Sequence, residues 1–142
     1  MNKFLNIIKT VALYIWQLPQ NLLGLILLIF YKAKHKYTLD SGVTVYFCSY
    51  FPGGISLGQY SIVNAYHYRT DKDECLKRDT IKHEAIGHAK QSMMLGPLYL
   101  IVIGLPSLIW AWLYGPVIPY TPNGYYKFYT EKWADKLADV QR

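Results

Sequence analysis

Two long apolar stretches dominate the pattern of this chain, one near the N-terminus and one over residues 97–114. Over residues 4–18 the apolar side chains recur with the period of a helix, and a stripe of polar side chains separates them. Pro19 is expected to bend or break this helix, and a second apolar run over residues 22–31 follows it. Three lysines end that run, so the pattern predicts an N-terminal helical segment over residues 1–36.

This N-terminal segment is predicted to be a membrane anchor. Its second apolar run is too short to cross a bilayer alone, and a span over residues 11–31 would contain Gln17, Gln20 and Asn21. We therefore expect either a kinked span or an in-plane helix with a shallow insertion. The alternative is an amphipathic helix that packs on the protein's own core.

Residues 37–142 are predicted to form one α+β domain with a small β-sheet. Two runs rich in β-branched and aromatic residues predict strands at residues 43–48 and 55–63, with Gly58 as a bulge in the second. The polar residues 64–78 then predict a solvated loop.

A helix is predicted to follow this loop. Asp79 or Thr80 is a suitable N-cap for it, and it should end near Leu95 because Gly96 and Pro97 follow.

The sequence His-Glu-Ala-Ile-Gly-His within this helix carries the candidate chemistry. His83 and His88 are nitrogen ligands for a metal, and Glu84 is a ready general base. The zinc-peptidase motif His-Glu-x-x-His places its histidines four residues apart, on one helical face, whereas here they are five apart. A π-helical bulge between Ala85 and His88 would bring both to one metal, and Gly87 allows the backbone to deform there.

The third ligand is expected to be acidic. The chain has only three glutamates, and the last, Glu131, lies four residues before Asp135 in a helix predicted over residues 125–140 with Asn123 as its cap. Residues four apart share a helical face, so Glu131 can bind the metal while Asp135 accepts a hydrogen bond from a ligand histidine. Two histidines, a glutamate and an open fourth position form a known catalytic zinc site.

These two motifs resemble those of the gluzincin metallopeptidases. The spacing from His83 to His88 is similar to the HExxGH variant of the dipeptidyl-peptidase III enzymes, and Glu131-Lys-Trp-Ala-Asp135 is similar to their second motif. The resemblance covers about twenty residues, and this chain is much shorter than the dipeptidyl-peptidase III enzymes. Its compact architecture looks closer to minimal gluzincins or to membrane-linked peptidases of the Ste24 and HtpX kind. It implies a zincin-like fold with an active-site helix, a C-terminal ligand helix and a peptide or protein substrate that pairs with the strand at residues 55–63.

The resemblance also implies hydrolysis of peptide bonds by a zinc-activated water, with Glu84 as the base. The oxyanion needs a further donor, and the sequence offers Tyr125, Tyr126, Tyr129 or His67. The first alternative is a zincin-like membrane protein that binds peptide or metal without catalysis. The second is a non-enzymatic membrane protein in which the motif is accidental and its histidines are ordinary ones.

The second apolar stretch must be compatible with a shared metal. It lies between His88 and Glu131, so a single crossing of the bilayer at residues 97–114 would separate these two ligands. We therefore expect a helical hairpin that turns at residues 104–107, where Gly104 and Pro106 interrupt the apolar run.

Composition favours membrane lipid as a partner over nucleic acid. The net charge is +6, but the basic residues are scattered and no nucleic-acid-binding motif accompanies them, so no nucleic-acid partner is expected. The 14 tyrosines and four tryptophans suit a membrane interface. Cys48 and Cys75 lack a metal-type spacing and are expected to be free and buried. Lysines after the first apolar segment outnumber those before it, which favours a cytoplasmic location for the catalytic part.

Overall fold

The N-terminal segment folds into two helices that meet in a sharp elbow. The computed structural model describes residues 2–142, with His35 described for its backbone only. Helix α1 (Lys3–Trp16) and helix α2 (Leu18–Tyr31) meet at 84°. Pro19 lies in the first turn of α2, where a proline is tolerated and its fixed φ suits the start of a helix. The predicted break is therefore confirmed, and it lies at Gln17.

Four strands form a mixed β-sheet, which confirms the α+β class. Their order across the sheet is β1-β2-β4-β3, with β2 parallel to β4 and the other neighbours antiparallel. The strands are β1 (His35–Thr38), β2 (Thr44–Cys48), β3 (Gly54–Leu57) and β4 (Tyr60–Asn64). The strand predicted at residues 43–48 is β2. The sequence did not predict β1, and the proposed boundary at residue 36 falls inside it.

The prediction of one bulged strand over residues 55–63 is wrong, because this segment is a hairpin of β3 and β4. Leu57 pairs with Tyr60, and Gly58 takes a φ of +64° in the turn between them. Glycine adopts this left-handed conformation without steric cost. The backbone N–H of Gln59 donates to Asn21 Oδ1 at 2.8 Å, so helix α2 holds the turn.

The solvated loop predicted at residues 64–78 is also wrong. The segment contains a 3-10 turn (Ala65–His67) and a short helix α3 (Lys72–Leu76). The side chain of Asp71 caps α3 by accepting from the backbone N–H of Glu74 at 2.8 Å, and Cys75 is buried in the core. One buried side chain in a five-residue helix leaves no periodic pattern for the sequence to reveal.

The helix that carries the histidine motif consists of three parts. Helix α4 (Asp79–Lys82), a π-helical turn (His83–His88) and helix α5 (Ala89–Leu95) follow one another without a break, and we call residues 79–95 the site helix. The predicted end at Leu95 is confirmed. The N-cap is Arg78 rather than Asp79 or Thr80, and it makes no side-chain capping bond.

The second apolar stretch turns earlier than predicted. A 3-10 turn (Gly96–Leu98) and a π-helical stretch (Leu100–Gly104) lead into helix α6 (Leu105–Leu113). The chain reverses between residues 98 and 100, where the two helical segments meet at 119°, so the turn predicted at residues 104–107 is wrong. Gly96 has a φ of +54° at the end of α5. Pro106 lies in the first turn of α6, where the missing N–H is tolerated.

The C-terminal helix is shorter than predicted at both ends. A 3-10 turn (Tyr125–Lys127) precedes helix α7 (Tyr129–Ala138), and Phe128 occupies the N-cap. Asn123 has a φ of +55° and lies outside this helix, so its predicted role as the cap is wrong.

No single described helix is long and apolar enough to cross a bilayer. Two bent pairs have sufficient length and composition together. They are α1 with α2, and residues 79–98 with residues 100–113, the latter pair at 119°.

The elements stack in layers around the site helix. One face of the sheet presents Val45, Phe47 and Val63 to Ile81 and Ala85 of the site helix. Helix α2 packs on Tyr60 of the sheet, and α7 packs on the site helix. The site helix is therefore enclosed between the sheet and α7.

Gly87 sets the approach of α7 to the site helix. A Cβ atom at this position would clash with the backbone of Ala134, which no rotamer change relieves. We expect Gly87→Ala to destabilise the fold by about 1–3 kcal/mol, as overpacking does. Thermal unfolding measures this effect. Gly104→Ala is the control, because its Cβ would meet neighbours only at 3.6 Å or more; a shift within about 1 kcal/mol is expected there. Equal stability of the two variants would contradict this account of the packing.

Candidate metal centre

The π-helical turn brings the two histidines together. A regular α-helix turns by about 100° per residue, which would place side chains five apart about 140° from each other. The π-helix over His83–His88 removes this divergence, as predicted, and the ring centroids lie 4.7 Å apart in an edge-to-face arrangement. Both imidazoles are buried between the site helix and α7.

Both histidines direct the same ring atom at one carboxylate. His83 Nε2 lies 2.9 Å from Glu131 Oε2, and His88 Nε2 lies 3.4 Å from the same oxygen. Glu131 is in the first turn of α7 and is 2% exposed. The three side chains that the sequence proposed as ligands are therefore in mutual contact.

The Nδ1 atom of each imidazole forms a hydrogen bond to an acceptor outside the cluster. His83 Nδ1 lies 2.7 Å from Asp135 Oδ1, and His88 Nδ1 lies 2.7 Å from Gln91 Oε1. An acceptor at Nδ1 fixes the proton there and leaves Nε2 as the ligand atom. Asp135 thus occupies the position predicted for it, one turn after Glu131.

The donor set fits a metal ion. His83, Glu84 and His88 each offer a ligand atom, and these atoms lie within 4.8 Å of one another. Glu131 adds a second carboxylate that contacts both imidazoles. Nitrogen and carboxylate oxygen at this spacing suit zinc and other divalent transition metals. The group can therefore hold a metal ion, with Glu84 or Glu131 as the oxygen ligand.

Glu84 is held by the edge strand β3. Ser56 Oγ lies 3.0 Å from Glu84 Oε2 and 2.8 Å from the Glu84 carbonyl oxygen, while Ser61 Oγ lies 2.8 Å from Ser56 Oγ. Gly54 faces the same carboxylate, and a Cβ there would lie 2.5 Å from Glu84 Oε1. Strand β3 therefore passes directly over Glu84, and only glycine fits at position 54 without moving it.

Two of the four predicted oxyanion donors lie near the metal cluster. The ring of Tyr126 contacts the ring of His83 at 5.4 Å between centroids. Burial raises the pKa of Tyr125, and the charges of Glu131 and Glu84 raise it further, so this phenol remains a donor. Tyr129 instead donates to the carbonyl oxygen of Val102 at 2.6 Å.

The fourth candidate, His67, contacts residues outside the metal cluster, as Tyr129 does. Its Nδ1 lies 3.4 Å from the Arg78 guanidinium. Burial lowers the pKa of His67, and the charges of Arg78 and Arg69 lower it further.

A chain of hydroxyl and amide groups, which the sequence did not reveal, supports the ligands from behind. Gln91 Nε2 donates to the carbonyl oxygen of Thr130 at 2.9 Å, and Thr130 Oγ1 donates to Glu131 Oε1 at 3.1 Å. Ser107 Oγ of α6 donates in turn to Thr130 Oγ1 at 2.8 Å. The three-residue spacing from His88 to Gln91 was the one available signal, since residues at this spacing are neighbours on a helix.

Arg142 closes the outer side of the cluster. Its guanidinium lies 3.6 Å from the centroid of the Tyr126 ring, and its Nε donates to Asp135 Oδ2 at 3.2 Å. The carboxylate of Asp135 therefore joins Arg142 to His83.

Charge holds the cluster of His83, His88 and Glu131 together. Burial opposes protonation of His83, but the hydrogen bonds that its imidazole donates to Asp135 and Glu131 outweigh burial and raise its pKa to about 9. Burial likewise opposes ionisation of Glu131, yet the hydrogen bonds from His83 and His88 hold its pKa well below the ordinary value. The contact between His83 and Glu131 therefore favours the charged form of each group.

Comparison with known proteins finds no matching family model, no matching curated sequence and no matching solved structure.

The outer hydrogen bonds generate a prediction about metal affinity. We expect Asp135→Ala and Gln91→Ala each to weaken zinc binding on the order of 10–100-fold, because each frees an imidazole to turn or to change its tautomer. Competition titration with a chromophoric chelator measures the affinity. Gln59→Ala is the matched control, since Gln59 is also buried but lies in the β3–β4 turn. An unchanged affinity in both site variants would show that these bonds do not orient the ligands.

The raised pKa of His83 should make the stability of the protein depend on pH after a chelator has removed any metal. The hydrogen-bonded, protonated His83 stabilises the fold fully below the ordinary pKa of 6.5, and this contribution is lost as the pH rises through about 9. The unfolding temperature should therefore fall between pH 6.5 and 9.5 more steeply in the wild type than in His83→Gln. Parallel curves for the two proteins would exclude this source of stability.

Proposed function

We propose that this protein is a membrane-associated zinc metallopeptidase. The observation that carries the proposal is the convergence of His83 Nε2 and His88 Nε2 on one carboxylate oxygen of Glu131, with both Nδ1 atoms held by outer acceptors. Two imidazoles and a carboxylate are the protein ligands of a known class of catalytic zinc site. A second carboxylate beside such a cluster, here Glu84, is what hydrolysis requires in addition.

The roles of the side chains follow from their positions. His83, His88 and Glu131 would hold zinc, which when bound supplies Lewis acidity toward a peptide carbonyl and a nearby water. Glu84 accepts the proton of the attacking water and passes it to the leaving amine. Ser56 orients the Glu84 carboxylate for this transfer. Tyr125 or Tyr126 donates a hydrogen bond to the oxyanion.

The order of the elements supports a zincin-like arrangement. The site helix follows β3 and β4, and β3 lies at the edge of the sheet beside Glu84. The resemblance to the gluzincins implies that an extended peptide pairs with such an edge strand, and main-chain pairing gives affinity with little sequence selectivity. We accordingly propose a peptide or protein substrate that binds along β3.

We also propose that this protein associates with a membrane. The two apolar stretches expose large hydrophobic side chains, and lysines flank the first of them. The excess of lysine after that stretch favours a cytoplasmic catalytic part.

The burial of the cluster favours one further candidate function. Glu84 is 7% exposed and His88 is 5% exposed, which is also the condition of a closed, non-catalytic metal site. A zincin-like protein that binds metal or peptide without cleaving it is therefore the second candidate. Turnover distinguishes the two.

The decisive experiment compares Glu84→Gln with Glu131→Ala. The wild type is expected to bind about one zinc per chain and to cleave peptides. Glu84→Gln should retain the zinc and lose about 10²–10⁴-fold of the rate, whereas Glu131→Ala should lose most of the zinc. Elemental analysis and mass spectrometry of a peptide mixture measure the two properties.

Glu74→Gln is the matched control, because Glu74 is exposed on α3 and is the one remaining glutamate of the chain. Zinc binding without any cleavage by the wild type would favour the second candidate. Full zinc occupancy in Glu131→Ala would overturn the ligand assignment.

A further inference from the structure

Helix α2 buries its polar side chains and exposes its apolar ones. Gln20, Asn21 and Gly24 are buried, whereas the outward side of the helix is formed by exposed large apolar residues: Leu18, Leu22, Leu23, Leu25, Ile26, Ile29 and Phe30. A helix on the surface of a water-soluble domain shows the opposite arrangement, with the apolar stripe facing the core. The solvent that suits the outer face of α2 is hydrocarbon.

The buried polar groups of the elbow dock it onto the end of the site helix. Gln20 Nε2 donates to the carbonyl oxygen of Gly96 at 2.6 Å and to Ser92 Oγ at 3.1 Å. Ser92 Oγ donates to Gln17 Oε1 at 2.7 Å. These bonds give Gln20 Nε2, Ser92 Oγ and Gln17 Oε1 partners inside the protein, as a helix in lipid requires for its polar side chains. Gln20 Oε1 is the one buried oxygen of this group without a partner among the described residues.

Residues 100–113 show the same inverted arrangement. Ser107 and Trp110 direct their donors inward, to Thr130 Oγ1 and to the carbonyl oxygen of Tyr125. The outward side consists of exposed apolar residues: Ile101, Val102, Leu105, Leu108, Ile109, Trp112 and Leu113. Leu27 of α2 and Leu100 pack on one cluster around Leu57, so the two segments are neighbours in the fold.

Both ends of α2 are attached to the body of the protein. Asn21 near its start accepts from the Gln59 N–H, and at its end the carbonyl oxygen of Tyr31 accepts from Cys48 Sγ at 3.1 Å. The helix has 14 residues, or about 21 Å at 1.5 Å per residue. A crossing helix would place its ends in water on opposite sides of a hydrocarbon core about 30 Å thick. Helix α2 therefore lies along the body.

Residues 100–113 are attached at both ends in the same way. Tyr99 OH donates to the carbonyl oxygen of Ser56 at 2.8 Å at one end, and Trp110 Nε1 donates to the carbonyl oxygen of Tyr125 at 2.9 Å near the other. Both contacts are to the layers that enclose the site helix. This segment also lies along the body rather than leading away from it.

The charges beside these faces favour an anionic lipid surface. The first 39 residues contain five lysines and no acidic residue. Lysines close to a membrane surface each contribute about 1 kcal/mol of attraction to anionic headgroups.

We propose that α2 and residues 100–113 form one lipid-facing surface that inserts into a single leaflet of an anionic bilayer, and that neither segment crosses it. The inference rests on the membrane half of the proposed function and is independent of catalysis.

The test uses the full chain added to preformed vesicles that contain about one-third anionic lipid. Wild-type Cys48 and Cys75 are buried and serve as the labelling blank. An environment-sensitive dye is attached to Ile26→Cys, to Ile109→Cys and to Asp73→Cys, the last as a control on α3. Lipids brominated in the acyl chain should quench the dye at positions 26 and 109 and leave position 73 unchanged.

A second set of variants tests the single leaflet. Lys3→Cys and Lys34→Cys flank α1 and α2, and Lys90→Cys and Lys127→Cys flank residues 100–113. An impermeant thiol reagent added outside should label all four equally before and after the vesicles are opened with detergent. Because the chain is added from outside, labelling that appears only on opening at one member of either pair would show a crossing and overturn the proposal. Vesicles that fail to retain the chain, or unquenched dye at positions 26 and 109, would overturn the membrane half as well.

Discussion

The contact between the two imidazoles and the carboxylate of Glu131 is the constraint around which this fold is arranged. It joins the site helix to a helix more than forty residues later in the chain. The contact is possible only because the π-helical turn directs both rings to one side and because Gly87 lets the backbone of Ala134 approach closely. All of the chain between these elements, including the second apolar stretch, must return α7 to this place. The early reversal between residues 98 and 100 and the attached course of residues 100–113 satisfy that requirement.

Buried charge explains the density of hydrogen bonds around the cluster. An ionised carboxylate away from water is costly unless its oxygens are bonded, and both oxygens of Glu131 have partners, the histidines on one and Thr130 on the other. Asp135 receives Arg142 as well as His83. Removal of one group from such a network leaves another unpaired, so the outer residues stabilise the geometry of the ligands more than their individual bonds suggest. The same network links helix α6 to Glu131 through Ser107 and Thr130.

The sequence predicted the parts of the fold and site that depend on spacing and on residue type. The five-residue interval between His83 and His88 requires a widened turn, and the scarcity of glutamate singled out Glu131. Strand β2 and the end of the site helix at Leu95 followed from local composition. The hairpin of β3 and β4 was missed because a glycine inside an apolar run indicates a bulge or a turn equally well, and only the docking of Asn21 at Gln59 decides between them. Gln91 was missed because its role depends on the direction of an imidazole, which sequence does not specify.

The N-terminal helices show why an amphipathic pattern does not specify which of its two faces is buried. The period of a pattern tells which residues share a face, but which face is inward depends on the solvent outside. Gln17, Gln20 and Asn21 interrupt the apolar segment and argue against a simple bilayer span. The structure uses these residues as the contacts that attach the elbow to the site helix and to the β3–β4 turn. Polar residues that would be misplaced in a helix surrounded by lipid are well placed in one that has lipid on one side and protein on the other. The interruption of the apolar run is therefore the feature that allows this segment to attach to its own domain and still present an unbroken apolar face outward.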